Sequence, residues 1–150
     1  MRCRPAGDDD VAVLADLRRA WTEEDAGAVV DDPGYGGRFD AFWAAEALRR
    51  THWIAELDGE GVGMASVVTM ARMPQPGEPD SAWGYVHHLY VRPGCRDRGV
   101  GRALLDAVVA EARQRGFHQL LLNPRPRSLP FYRRSGFVSA DHLLVLPLSR

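Results

Sequence analysis

The feature that most constrains this chain is a glycine-containing segment near its middle, RPGCRDRGVGR, at residues 92–102. A run of β-branched and aromatic residues, Tyr85 to Val91, precedes it, and a helical pattern of apolar residues follows it. A strand, a loop and a helix N-terminus in this order form an anion cradle, because backbone N–H groups and the positive end of the helix dipole face the same ligand. Glycine lets the backbone approach that ligand closely. The segment therefore predicts a ligand that carries phosphates.

Length and composition indicate one globular domain over residues 1–150. Apolar residues make up 45% of the chain and charged residues 26%, as in ordinary soluble proteins. No apolar run approaches the roughly 20 residues that span a bilayer, and the N-terminus lacks the apolar centre of a signal peptide. Two cysteines are too few for a disulfide scaffold. We therefore expect a cytoplasmic protein that has no membrane partner.

Charge is segregated along the chain, although the formal net charge is only −1. Residues 1–91 contain 8 Arg and 16 acidic residues, whereas residues 92–134 contain 10 Arg and 3 acidic residues. A basic segment suits a polyanionic ligand and an acidic segment suits a cationic one. The chain therefore favours a polyanion near the glycine-containing segment and a cationic group near its N-terminal part.

The spacing of apolar residues and turn signals predicts the element order β-α-α-β-β-β-α-β-α-β-β. The predicted strands lie at 3–6, 52–57, 62–70, 83–91, 119–122, from 137 onward and at 143–148. The predicted helices lie at 11–22, 40–50, 98–115 and 128–135, and residues 23–38 are predicted to form a loop that can include a short helical turn. Strands that alternate with helices in this way indicate an α/β (α+β) fold, a mixed sheet with helices on both faces.

Two segments carry a family resemblance. Residues 89–104, LYVRPGCRDRGVGRAL, resemble the acetyl-CoA pyrophosphate motif of the GCN5-related N-acetyltransferases (GNATs). Residues 130–137, PFYRRSGF, resemble the Phe-Tyr-x-x-x-Gly-Phe signature of the same family. The two motifs occur in the family's order and are joined by a predicted helix and strand. The resemblance implies a single-domain GNAT-like fold, with a mixed and mostly antiparallel sheet of six to seven strands.

The resemblance also implies an activity. GNATs move an acetyl group directly from acetyl-CoA to an amine, so we expect an N-acetyltransferase that acts on a primary amine of a small molecule or peptide. His52, His118 and His142 show no metal-ligand spacing with one another or with the cysteines, so we expect no metal. We also expect no nucleic-acid partner, and family members often form homodimers. An alternative on the same scaffold is a catalytically silent acyl-CoA-binding sensor or interaction domain.

The resemblance assigns a cofactor site to the glycine-containing segment and the strand before it. Backbone N–H groups from Asp97 to Arg102 would bind the pyrophosphate, and arginines would add charge. Backbone groups of Leu89 to Val91 would pair with the pantetheine arm, and one N–H would face the thioester oxygen. Where the family often has Asn this chain has Arg125, and Asn123 lies nearby. The predicted cofactor-binding residues are Leu89, Tyr90, Val91, Arg96, Asp97, Arg98, Gly99, Val100, Gly101, Arg102 and Asn123.

For the residues that transfer protons, the sequence indicates one candidate acid but several candidate bases. The resemblance makes Tyr132 the acid that protonates the leaving thiolate. We favour His88 as the base that deprotonates the amine, but it and His87 are adjacent and face opposite sides of a regular strand unless a bulge intervenes. Further carboxylate candidates stay open for the base or for binding a cationic acceptor. They are Glu23, Glu24, Asp25, Glu78 and Asp80.

Substrate binding is expected at Glu23, Glu24 and His87, because acidic side chains attract a cationic amine. Four aromatic residues of the N-terminal third fit two roles equally well, the wall of an acceptor pocket or the core of a helix pair. They are Trp21, Phe39, Phe42 and Trp43.

Overall fold

Within residues 1–148, which the computed structural model describes, one sheet contains five strands in the order β1-β2-β3-β4-β5. The strands are β1 (Arg2–Pro5), β2 (Arg50–Leu57), β3 (Glu60–Ala71), β4 (Ala82–Val91) and β5 (Phe117–Leu121). The helices are α1 (Val11–Ala26), α2 (Tyr35–Glu46), α3 (Val100–Gln114) and α4 (Leu129–Arg134). Pairing is antiparallel from β1 to β4 and parallel between β4 and β5. The predicted mixed, mostly antiparallel sheet is confirmed.

Helices cover both faces of the sheet, as predicted. In β2 the side chain of Ile54 packs with Leu14 and Leu17 of α1. Its neighbour Trp53 lies in the cluster on the other face, which includes Leu104 of α3. Successive strand residues face opposite sides, so one buried strand supplies the cores beneath α1 and beneath α3.

The predicted element order is confirmed as far as α4, and one predicted loop is wrong. The chain was predicted as loop over residues 23–38, but α1 continues to Ala26 and α2 begins at Tyr35. Glutamate favours helix, so the acidic residues extend α1 until Gly27, which has a φ of +66°. The ring centroids of Tyr35 and Phe39 are 5.9 Å apart, and the Tyr35 hydroxyl donates a hydrogen bond to the carbonyl of Ala15. These contacts offset the low helix propensity of the two glycines that follow Tyr35.

The prediction of six to seven strands is also wrong for the described residues. The segments from Phe137 onward and at Leu143–Leu148 were expected to form the last strands, but residues 137–148 form no strand. Leu144 and Leu146 are exposed. Apolar character favours a strand, but a strand exists only when a neighbour accepts its backbone hydrogen bonds. Here no ladder forms with this segment.

A β-bulge in β4 shapes the end of the sheet next to α3. Met64 of β3 is opposite Tyr90, but Ser66 is opposite His87, so β4 has one residue more than β3 between these pairs. His88 takes up the extra length with a φ of +52°. A bulge interrupts the ladder and redirects side chains. The strand therefore changes course where the sequence predicted the thioester-binding backbone.

We predict that Gly63→Ala destabilises the fold. A Cβ at Gly63 would lie 2.9 Å from the Tyr90 carbonyl oxygen and 3.1 Å from a methyl carbon of Leu104. Backbone cannot move aside easily, so we expect a loss of about 1–3 kcal/mol in the free energy of unfolding. Urea denaturation measures it. Gly37→Ala in α2, where a Cβ meets open space, is the control and should gain about 0.5–1 kcal/mol. A Gly63→Ala protein as stable as the wild type would contradict this packing.

Candidate functional site

An open groove of about 860 Å³ follows the end of β4 and the N-terminus of α3. Residues of α1, of the segment after β5 and of α4 complete its walls. The structure brings ten of the eleven predicted cofactor-binding residues to this groove: Leu89, Tyr90, Val91, Arg96, Asp97, Gly99, Val100, Gly101, Arg102 and Asn123. Arg98 is exposed and does not line it.

The loop before α3 has the backbone conformation of an anion cradle. Asp97 and Gly99 have φ values of +58° and +80°, and α3 begins at Val100. Successive residues in right- and left-handed conformations direct backbone N–H groups toward one point. The first N–H groups of a helix also lack acceptors within the helix. The groove therefore has donors for an anion at its α3 end.

Arg96 is anchored by the protein itself. Its Nη2 donates to both carboxylate oxygens of Glu24, at 2.7 and 2.8 Å, and its Nε donates to the Val91 carbonyl at 3.0 Å. The guanidinium carbon lies 5.9 Å from the ring centroid of Tyr90. Arg96 thus joins the loop after β4 to the C-terminal end of α1.

The acidic residues at the end of α1 all accept hydrogen bonds from other groups of the protein. Asp25 accepts two hydrogen bonds of 2.6 Å from Arg125, which holds the pKa of its carboxyl below the usual range. Glu23 accepts from the Val30 backbone N–H at 3.2 Å. None of Glu23, Glu24 and Asp25 lines the groove or the second cavity described below. Their carboxylates stabilise the walls of the site.

The bulge brings the two adjacent histidines together. The rings of His87 and His88 are stacked, with centroids 5.2 Å apart and planes inclined by 29°, and both line the groove. Burial, then the nearby charges of His87 and Arg18, lowers the pKa of His88 to about 4. Burial also lowers the pKa of His87. Both rings are therefore neutral at pH 7, and the lowered pKa makes each a weaker proton acceptor than an ordinary histidine.

Tyr132 lies on α4 and lines the same groove. Only 8% of the residue is exposed, and its ring contacts the edges of Phe131 and Phe137 at centroid distances of 5.1 and 5.7 Å. Burial raises the pKa of the phenol. The hydroxyl is therefore protonated at neutral pH and available as a donor.

A second cavity of about 280 Å³ lies between α1, α2 and the sheet; we call it the side cavity. Its lining residues are Leu14, Arg18, Tyr35, Arg38, Phe39, Phe42, His52, Met64, Ser66 and His88. Arg18 and His88 also line the groove. The groove and the side cavity are therefore adjacent, and these two residues form their shared boundary.

The four aromatic residues of the N-terminal third divide between the expected roles. Phe39 and Phe42 line the side cavity. Trp21 lines the groove and stacks on Tyr90, with ring centroids 5.5 Å apart and planes inclined by 7°. Trp43 instead packs against the core beneath α1 and donates its Nε1–H to Asp8 at 2.8 Å.

Sequence reasoning missed Arg18 and Ser66. Arg18 lies four residues after Leu14 and three before Trp21, so helical spacing places it on the face that reaches the site. Ser66 lies two residues after Met64 on β3, which places both on one face of the strand. These spacings were available as signals, but neither residue belongs to a motif.

Among residues 1–148, no group of three or more His, Cys, Asp or Glu side chains is arranged to hold a metal ion. Over the same residues, no helix combines the length and apolar character required to cross a bilayer.

A family model decides the classification of this fold. The model of the Acetyltransferase (GNAT) family matches residues 11–137. The chain belongs to the GNAT family. The match covers both motifs noted in the sequence, and it confirms the resemblance inferred from them.

Named relatives of this GNAT chain are acetyltransferases. It is 30% identical over 90 residues to a glucosamine 6-phosphate N-acetyltransferase of Trypanosoma brucei brucei, covering 60% of this chain and 59% of that protein. It is 37% identical over 90 residues to a mycothiol acetyltransferase of Beutenbergia cavernae, covering 57% of this chain and 27% of that protein. Each match thus spans less than two thirds of the relative's length.

Solved GNAT structures share the whole fold. A protein of Clostridium acetobutylicum, described as a predicted acetyltransferase and solved with acetyl-CoA, has a TM-score of 0.77 at 23% identity, over 98% of this chain and 96% of that one. A GCN5-related N-acetyltransferase of Ralstonia eutropha JMP134 has a TM-score of 0.72 at 26% identity, over 99% of both chains. The five described strands and four helices are therefore a GNAT arrangement.

We predict that stability falls between pH 6.5 and 4.5 because of buried histidines. The folded pKa values of His52 and His88 are both about 4, so the unfolded chain binds these protons first and stability decreases as pH falls. Each histidine accounts for on the order of 2–3 kcal/mol once the pH reaches 4. The pKa values of Asp10 and Glu46 are lowered to about 2 by their arginine partners, so their contributions begin to fall near pH 4.5 and are lost mainly below it.

Urea denaturation at pH 7, 5.5 and 4.5 measures the effect. His52→Gln and His88→Gln should each flatten the dependence of the unfolding free energy on pH. His118→Gln, at an exposed position of β5, is the control. Equal slopes in all three variants would contradict the assignment to buried rings.

Proposed function

We propose that this chain is an acetyl-CoA-dependent N-acetyltransferase that transfers the acetyl group directly to a primary amine of a small molecule or peptide. The observation that carries the proposal is that the predicted cofactor-binding residues line one groove, which runs from the loop before α3 to the bulged end of β4 at His88, and that His88 also lines the side cavity. A donor molecule and an acceptor could meet there. Two named relatives act in this class, as a glucosamine 6-phosphate N-acetyltransferase and a mycothiol acetyltransferase.

The positive potential at the loop before α3 supports the proposal that the pyrophosphate of acetyl-CoA binds there. The backbone N–H groups from Asp97 to Arg102 supply donors that need no side chain, and the dipole of α3 adds positive potential. Gly101 lines the groove. A Cβ at this position would lie 3.7 Å from a methyl carbon of Val91 and 3.8 Å from a ring carbon of Phe131. The absence of a side chain at this position keeps the entrance to the N-terminus of α3 open.

The end of β4 would hold the pantetheine arm and the thioester. The bulge interrupts the β3–β4 ladder at His88 and Leu89, so backbone groups there are available to an added strand-like ligand. The N–H of Leu89 is our candidate donor to the thioester oxygen. A donor preorganised for a developing oxyanion is worth on the order of 3 kcal/mol in other enzymes.

Proton transfer completes the proposed reaction. The neutral amine attacks the thioester carbonyl, a C–N bond forms and the C–S bond breaks. A proton of the amine passes to His88, whose neutral ring accepts it directly or through water, and the phenol of Tyr132 protonates the departing thiolate sulfur. His87 is the second candidate base, because its ring lies 5.2 Å from that of His88. Glu23 and Glu24 are weaker candidates, since the contacts described above occupy their carboxylates.

We predict that Tyr132→Phe lowers kcat by on the order of 100-fold while KM for acetyl-CoA changes little, because the substitution removes the donor and keeps the ring packing. Release of the CoA thiol with a panel of amines measures both parameters. Tight acetyl-CoA binding without thiol release on any amine would instead identify a silent acyl-CoA-binding domain. Unchanged kcat in Tyr132→Phe would exclude the phenol as the acid.

We predict that Gly101→Asp weakens CoA binding without unfolding the protein. An aspartate in the first turn of α3 interacts favourably with the helix dipole, but its charge lies in the proposed pyrophosphate site. Calorimetric titration with CoA should show an affinity at least about tenfold lower, since like charges in a confined site repel.

Gly94→Asp is the matched control for this experiment. It adds the same charge to the same loop, at a position that does not line the groove and where a Cβ meets open space. Its affinity for CoA should stay within roughly twofold of the wild type, because exposed charges are screened by salt. Equal losses in both variants would show a general charge effect and contradict the cradle.

A further inference from the structure

The side cavity has a chemical character that narrows the acceptor. Aromatic rings of Tyr35, Phe39 and Phe42 form one part of its wall. Its charged side chains are arginines, and none of its lining residues, all within residues 1–148, is Asp or Glu. The volume of about 280 Å³ equals that of roughly nine liquid water molecules. The cavity therefore suits a compact molecule with an apolar part and without excess positive charge.

Arg18 is an arginine without a carboxylate in ion-pair contact among residues 1–148, and it lines both the side cavity and the groove. Its guanidinium donates to the Thr22 hydroxyl at 3.1 Å and lies 5.1 Å from the ring centroid of Trp21. The ion pairs found within residues 1–148 do not include Arg18. Arg38, in contrast, is paired with Asp32. Arg18 is thus the cation best placed to bind an anionic group of a ligand.

Ser66 gives an independent sign of a ligand. The residue is 2% exposed, and its Oγ has no hydrogen-bond partner in the described structure although it lines the side cavity. A buried hydroxyl without a partner costs free energy. A polar group of a bound molecule would satisfy it, next to the bulge at which Ser66 is opposite His87.

We propose that the acceptor is a compact primary amine that also carries an anionic group, a carboxylate or a phosphate, and an apolar or aromatic body. Arg18 binds the anion, the aromatic wall contacts the body, and Ser66 orients the polar end near His88. This inference rests on the proposed function and specifies its substrate class. It replaces the cationic acceptor expected from the acidic N-terminal sequence, because those carboxylates are paired outside the side cavity.

Matched amines test the inference by thiol release from acetyl-CoA. Phenylalanine and 2-phenylethylamine share an aromatic body and differ by one carboxylate. O-phosphoethanolamine and ethanolamine form a second pair, which differs by one phosphate. Spermidine represents the polycationic amines. We expect the anionic member of at least one pair to have a kcat/KM at least tenfold above its partner and above spermidine. The pair that shows the preference identifies the anion.

Two variants connect the preference to the residues. Arg18→Met removes the charge and keeps a long side chain, and it should raise KM at least tenfold for the preferred anionic acceptor but by less than threefold for the uncharged member of the same pair. Arg18→Lys should restore part of the loss. Ser66→Ala should raise KM for the acceptor without lowering the melting temperature. Arg113→Met, at an exposed position of α3, is the charge-matched control.

The outcomes separate this inference from the proposed function. If the enzyme turned over spermidine, 2-phenylethylamine or ethanolamine as fast as the anionic amines, the inference would be overturned and the acetyltransferase proposal would remain intact. A preference for anionic amines that persists in Arg18→Met would overturn the role of Arg18. No thiol release with any amine would overturn the proposed function and this inference together.

Discussion

The β-bulge at His88 is the constraint on which the rest of the site depends. One extra residue in β4, placed in the left-handed conformation, breaks the ladder with β3. The break makes Leu89 available to a ligand and stacks His87 on His88 in one groove. A regular strand would direct these two rings to opposite faces. Because His88 also lines the side cavity, the same distortion joins the proposed donor groove to the proposed acceptor pocket.

The acidic and basic parts of the sequence are brought together by ion pairs between α1 and the arginines that follow β4 and β5. Asp16, Glu24 and Asp25 of the acidic α1 pair with Arg92, Arg96 and Arg125 from the two sides of the groove. Exposed pairs contribute little each, about 0–1 kcal/mol, but together they position α1 beside the loop before α3. The acidic charge of α1 is thereby neutralised within the protein. What a ligand meets in the side cavity is Arg18, which the overall charge pattern conceals.

The sequence predicted much of the fold because its elements are encoded locally. The apolar spacing of α3, the turn between β2 and β3 and the proline-rich segment before β4 depend on neighbouring residues, and their predicted positions agree with the structure to within a few residues. The last strands were predicted wrongly because Leu143–Leu148 has strand-like composition, and pairing is a property of two segments. The loop predicted at residues 23–38 was wrong because contacts of Tyr35 and Phe39 overcome the low helix propensity of the glycines between them.

The sequence by itself determined the family and the order of elements as far as α4, and it placed the proposed cradle, because two motifs and the glycines of the loop are short-range features. It also named the pair His87 and His88 and the phenol of Tyr132. Only the tertiary structure decided that both rings share one groove, that Glu24 and Asp25 are occupied by arginines, and that Arg18 and Ser66 line a second cavity. These facts depend on register and on contacts between residues that are far apart in the chain, and local pattern carries no information about either.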